Sequence, residues 1–317
     1  MLLKTKLFQI TLTFFLLLLF TGCGVKGTES TGGTKVTESK VKVTDASGRE
    51  VAFDTHPKKF ASLTIGDMDI IHQLGGEIVG RPSTKVEIPE ELVKVEEIGN
   101  THQPNIEKIV SLKPDVLIAN VGFDKNIPAL ENQGIQTIMT EANSIEDIKK
   151  NIETYGTLLG KESKAQELIK QIEQVVEKQT EASEAQALLV YGAPGSFLAA
   201  LPTSLAGDIL EKSGGINVAS NFPKLKEYPQ YAQLAVERVV EADPDIIYLI
   251  THGDPSGVEK AFKQEMEKNA AWKNLDAVKK GNIVVLPSNL FGTNPGTKIA
   301  EAVEYMRQSL KDIGKDS

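Results

Sequence analysis

At 317 residues, with 40% hydrophobic and 25% charged side chains, the chain has the composition of a globular protein and is long enough for two domains that each bury a core. A net charge of −8, with no basic arm, no cysteine and histidine array and no aromatic stacking platform, excludes nucleic acid as a partner.

The first element is an export signal: Lys4 and Lys6 precede the mostly apolar run "LFQITLTFFLLLLF", and "TGCG" follows. That run is too short to span a membrane. Cys23, the only cysteine, stands where a lipobox places the acylated residue, although Phe20 replaces the usual leucine three positions before it. Residues 1–22 therefore read as a lipoprotein signal peptide. Residues 23–40, rich in Gly, Ser, Thr, Lys and Glu, read as a flexible tether with almost nothing to bury.

Folding begins near Val41. "KVKVTDASGREVAF" alternates apolar and polar residues on both sides of Ser-Gly, a hairpin signal. The strand "KKFASLTI", the helix "DMDIIHQLG", and the strands "EIVGRP", "DVLIANV" and "GIQTIMTEA" then set up the alternation of a parallel α/β sheet. Two helical segments follow, with Ser144 and Ser163 placed as N-caps; the second spans about twenty residues, or about 30 Å, and reads as a strut. The α/β alternation resumes at "ALLVYGAPGSFLAAL" and closes with a helix near residues 296–313.

One construction occurs twice. "IEKIVSLKPDVLI" at 106–118 aligns without gaps on "VERVVEADPDIIY" at 236–248: an amphipathic helix, a turn at Pro-Asp and a buried strand, with Glu107 or Glu237 at the helix start, where a carboxylate suits the dipole. The echo implies two similarly built lobes with a cleft between them. No glycine-rich phosphate loop, HExxH or GxSxG elbow is present, and "GAPGS" lacks the second glycine at that spacing, so the chain does not read as an enzyme.

Of the four histidines, His56 sits in a polar turn and His72 on a helix flank. His102 and His252 each lie in a loop beside one copy of the repeat, and His252 follows a strand, where ligands of parallel sheets gather. Facing each other across a cleft, two imidazoles could hold iron or zinc. On the residues alone, two unrelated loop histidines are the plainer reading.

"DASGREV", "GN…P.IEKIVSLKPDVLI", "SGGINV", "WKNLDAVKKGNIVVL" and the paired glutamates resemble the class III substrate-binding lipoproteins of ABC importers, which carry siderophores, cobalamin or haem. The likeness spans nearly the whole mature chain. It implies an α/β fold of two Rossmann-like lobes joined by a single long helix: an N-terminal lobe at 41–160, a connecting helix at 161–185 and a C-terminal lobe at 186–317.

Within that family, "YGAPGSFLAALPTSLAGDILEKSGGINV" and "THGDPSGV" resemble the haem receptors of the Isd and Hup type. This implies a lipid-anchored, monomeric receptor on the extracytoplasmic face of the membrane, passing haem to an ABC permease and its ATPase. The histidine of the "HG" motif, an axial ligand in that subgroup, falls on His252. The other ligand, commonly methionine in a "GNPM.P" loop, falls on His102 of "GNTHQP". Tyr191, Phe197 and Phe291 are expected as apolar walls. The helix start near Gly66, or Arg81, would meet the propionates. Glu107 and Glu237 would dock on the permease. A ferric siderophore receptor on the same fold is the alternative; it calls for several Arg or Lys side chains facing the chelate.

Overall fold

The computed structural model describes residues 41–178, 185–193, 196–251 and 255–313. The signal, the tether, Cys23 and His252 lie outside the described residues. Among the described residues no helix is long and apolar enough to cross a membrane.

The chain opens with the expected hairpin, β1 (Val41–Thr44) against β2 (Glu50–Phe53), and Gly48 takes the positive φ of +83° that its turn requires. Asp45 organises that turn. Its Oδ1 accepts the Ser47 and Arg49 amides at 3.0 Å each, and its Oδ2 accepts Arg49 Nε at 3.0 Å.

A five-stranded, all-parallel sheet follows, in the order β5-β4-β3-β6-β7. Its strands are β3 (Lys59–Ser62), β4 (Glu77–Arg81), β5 (Glu96–Glu97), β6 (Val116–Asn120) and β7 (Gln136–Thr140), connected by α1 (Ile65–Leu74), α2 (Glu90–Val93), α3 (Ile106–Leu112) and α4 (Ile127–Glu131). Strand β6 lies inside the sheet, between β3 and β7, and its first four residues are buried, the apolar run expected of a strand covered on both faces.

Helices α5 (Ile145–Leu159) and α6 (Glu162–Val176) pack on each other and lead to the second sheet. Ser144 caps α5 as expected, its hydroxyl accepting the Asp147 amide at 3.1 Å. Ser163 does not cap α6. Gly160 ends α5 in the left-handed conformation, and the turn is so tight that only Lys161 remains ahead of α6. The strut is also shorter than expected, 15 residues or about 22 Å. Its last carbonyls are taken by Arg307, whose Nη1 donates to Val175 at 2.5 Å and Nη2 to Val176 at 2.8 Å.

The second sheet runs β11-β9-β8-β12-β13, with β10 also beside β8. It comprises β8 (Gln186–Ala193), β9 (Ser196–Ala200), β10 (Ile216–Asn217), β11 (Tyr231–Gln233), β12 (Ile246–Thr251) and β13 (Ile283–Val285). Helices α7 (Leu205–Lys212), α8 (Val236–Ala242), α9 (Pro255–Lys268), α10 (Ala270–Lys273), α11 (Asp276–Lys279), α12 (Ser288–Phe291) and α13 (Ile299–Ile313) complete it. Here the parallel pattern is mixed, because β9 runs antiparallel to both β8 and β11.

Three apolar clusters hold the fold. One is private to the first sheet, around Ile109, Leu117 and Leu130, and one to the second, around Val190, Phe262 and Trp272. The third is shared: it runs from Phe60 and Ile70 through Ile152 and Ile169 on α5 and α6 to Leu189, Tyr248 and Met306. Cross-links join the same regions. Asp208 of α7 accepts the Ile145 amide at the start of α5 at 2.8 Å, and Asp69 of α1 accepts the Thr297 amide at 2.9 Å and hydroxyl at 2.6 Å.

Candidate ligand-binding cleft

The repeat seen in the sequence is a repeat in the fold. Units β5–α3–β6 and β11–α8–β12 are parallel crossovers, and β6 and β12 occupy matching places in their sheets. Each helix ends at a residue in left-handed backbone, Lys113 (φ +49°) or Asp243 (φ +37°), the only non-glycine residues with positive φ among the described residues. Each then turns through Pro-Asp. Asp115 Oδ2 accepts the Lys58 and Lys59 amides at 2.8 and 2.9 Å, tying β6 to the start of β3, and Asp245 Oδ2 accepts the Gln186 amide at 2.8 Å, tying β12 to β8. The Pro-Asp pair is thus a strand-registering device.

In such a crossover the helix starts at the carboxyl edge of the strands, the edge where ligands of open α/β sheets bind. Glu107 and Glu237 lie there, in the first turns of α3 and α8, and both are exposed. The Asn105 side chain caps α3 by accepting the Lys108 amide at 3.0 Å.

His102 lies in the loop ahead of α3, on that same edge, and is exposed. The loop is folded back on itself: Gly99 bridges Pro104, and the Asn100 side-chain oxygen accepts the amides of His102 at 2.9 Å and Gln103 at 3.0 Å. Only glycine fits position 99, since its φ is +86° and a Cβ would approach the Gln103 carbonyl oxygen to 2.2 Å. Thr101 Oγ1 donates to Asn120 Oδ1 at 2.9 Å, which lays the loop against the end of β6. The next residue, Val121, is 50% exposed after a buried strand, while its amide stays bonded to Thr140 O at 3.1 Å. His102 and Val121 therefore both lie exposed at the carboxyl edge of the first sheet.

The other expected contacts are rearranged. Tyr191 and Phe197 lie on opposite faces of the second sheet: Tyr191 packs toward the shared core with its ring 5.1 Å from that of Tyr231, whereas Phe197 packs into the private core, 5.1 Å from Phe262. Their rings cannot wall the same space. Burial pushes the Tyr191 phenol up and the Tyr231 phenol up to about 12, so both stay neutral hydroxyls. Phe291 is a buried core residue, edge-on to Tyr305 at 5.9 Å.

Gly66 is buried beneath Asn294, and a Cβ there would meet the Asn294 side chain at 2.3 Å, so the start of α1 is closed to a propionate at that point. Arg81 is committed to its own lobe, with Nε donating to Val95 O at 3.0 Å and Nη2 paired with Glu97 at 2.8 Å. The Ser83 hydroxyl and that guanidinium hold the Glu97 carboxyl below its usual range. His56 caps the end of α5 through a 3.0 Å contact of Nδ1 with Leu158 O, and His72 is half-buried in the last turn of α1.

Among the described residues no group of three or more His, Cys, Asp or Glu side chains could hold a metal ion. Asp67 is enclosed in the core of the first lobe: burial pushes its carboxyl up, while Thr64, Tyr155 and Thr140 donate to it. Sequence reading missed Thr101, Asn120 and Val121. The signal available was an apolar strand running into "NVG", whose valine passes for one more core residue.

Comparison with known proteins agrees with this architecture. The High-affinity heme uptake system protein IsdE of Staphylococcus aureus is 28% identical over 251 residues, which cover 77% of this chain and 82% of that protein. The structure of S. aureus IsdE complexed with heme superposes with a TM-score of 0.68 at 27% identity, covering 80% of this chain and 98% of that one. An ABC transporter substrate-binding protein from Listeria monocytogenes EGD-e gives 0.70 at 28% identity over 81% of this chain and 99% of that one. The Bacillus subtilis petrobactin-binding protein YclQ, 22% identical, shares the fold with a TM-score of 0.70 over 87% of this chain and 98% of that one. The periplasmic binding protein family matches residues 61–290. With two α/β lobes, a helical connection and an open rim at the strand ends, the chain belongs to the periplasmic binding protein family, as a substrate-binding protein of an ABC transporter and not an enzyme.

Proposed function

We propose that the protein is a lipid-anchored, extracytoplasmic receptor that binds haem in the cleft and delivers it intact to an ABC permease. The observation that carries this reading is His102, an exposed imidazole on a hydrogen-bonded loop at the carboxyl edge of a parallel sheet, an edge that also exposes Val121. An imidazole is an axial ligand for haem iron, and the flat macrocycle it would hold is mostly apolar, which suits Val121. The 28% identity to a heme uptake protein points to the same cargo. In this reading His252 supplies the second axial nitrogen, Glu107 and Glu237 face the permease, and Cys23 carries the lipid.

Titration of the purified protein with haemin, followed by absorbance, tests the cargo. The expected result is a Soret band and the low-spin spectrum of six-coordinate iron, with His102→Ala and His252→Ala each shifting it and the double variant losing most specific binding. A protein that shows no Soret change but binds a ferric siderophore overturns the reading.

A further inference from the structure

The bonds inside the 99–104 turn fix its shape, and its base is held by Ser83 N donating to Gly99 O at 2.7 Å and Asn105 N donating to Ile98 O at 2.8 Å. Neither set fixes where the tip points. At the tip, Thr101 donates to Asn120 Oδ1 at 2.9 Å and makes a longer contact with Leu63 O at 3.4 Å. Thr101 is exposed and Asn120 only partly buried, so water replaces this bond readily when it opens and it adds little to folding stability. Its partner strand β6 pairs with β3 and β7, and Asn120 itself pairs with Thr140 of β7. A bond joining the residue beside His102 to the end of the interior strand β6 bears on aim more than on folding.

We propose that Thr101 and Asn120 are positioning residues: their hydrogen bond pins the tip of the turn to β6 and so orients the His102 imidazole toward the cleft before cargo arrives. The proposal rests on the reading of His102 as an axial ligand. A preorganised ligand loses less freedom on binding, so unlatching it should appear in the rate of cargo loss and the fraction of six-coordinate iron, not in folding.

The test compares Thr101→Val, which keeps the shape and removes the donor, with Thr101→Ser, which keeps the donor, and with Asn120→Ala, which removes the acceptor. Haemin-loaded protein is followed by its low-spin spectrum and by haemin transfer to excess apomyoglobin, and urea unfolding of the cargo-free protein serves as the structural control. Thr101→Val and Asn120→Ala should each lower the low-spin fraction and speed haemin loss roughly five- to ten-fold, one hydrogen bond's worth. The double variant should be no worse than either single one. Thr101→Ser should restore the parent spectrum, and all unfolding midpoints should stay close to the parent's. If His102→Ala shifts the spectrum while Thr101→Val keeps the parent spectrum and rate, the positioning role is wrong and the ligand assignment stands. If His102→Ala leaves the spectrum unchanged, both fall together.

Discussion

Lys113 holds a left-handed backbone without the side-chain chemistry that makes this comfortable. An L-residue there incurs about 1–2 kcal/mol of steric cost, while glycine would give back about 0.5–1 kcal/mol in unfolded-state entropy. Because Lys113 is exposed, Lys113→Gly should stabilise the protein by about 0.5 kcal/mol, read as a higher urea midpoint at unchanged m-value. Asp243 is a poorer subject, since aspartate tolerates this conformation better. Asp45 carries a pH effect. Burial pushes its carboxyl up, but the donors from Ser47, Arg49 and Met139 outweigh burial and hold it below the usual range. A carboxyl depressed by folding adds stability above its unfolded value of about 3.9 and loses it as the pH falls through the folded value. Asp45→Asn should therefore cost about 1–3 kcal/mol at neutral pH and flatten the acid limb of a stability profile, with parent and variant converging at the acid end. A variant that tracks the parent at every pH would assign the acid limb to other carboxylates.

Among elements, the repeated helix, Pro-Asp turn and strand was legible because all its determinants lie within one short segment: apolar spacing, a proline to end the helix and an aspartate to anchor the strand. What escaped sequence reading depends on distant partners. Arg81 reads as a free cation until Glu97 is seen beside it, and Tyr191 and Phe197 read as neighbours until the hairpin puts them on opposite faces. Of the candidate site, His102 and its loop were visible as a polar break before an amphipathic run; the latch to Asn120 was not, since no local rule connects residues 101 and 120. The length of α6 is a further case. Its end is set by buried Arg307, which donates to the last carbonyls of α6 and, at 3.3 Å, to Lys212 O at the end of α7, a cation at two helix C-termini. Arg307→Met should destabilise the protein by about 2–4 kcal/mol, since these carbonyls lose their donor in a buried place, and urea unfolding followed by circular dichroism would measure it. A loss below half a kilocalorie would mean that water replaces the guanidinium.

At the scale of the whole molecule, the shared core predicts that the two sheets unfold together. Trp272, the only tryptophan, is buried in the second lobe, whereas circular dichroism reports both lobes. The two signals should give coincident urea transitions; an earlier tryptophan transition would show the lobes to be independent. The proposed docking role makes a second prediction. Glu107→Lys with Glu237→Lys should leave the haemin spectrum unchanged yet abolish haem-dependent growth, because like charges would meet a basic permease surface. Normal growth of that variant would return both glutamates to ordinary helix-start charges, and lost haemin binding would move them into the cleft. The shared core also sets the mechanics of the molecule. Parting the sheets widely would pull apart close-packed side chains from Phe60 through Ile152 and Ile169 to Tyr248, so the jaw is stiff at its hinge and its gap can change only slightly. Such a jaw grips by small tilts about a packed hinge, so what fits between its lips is set by the shape of the rims more than by how far it swings.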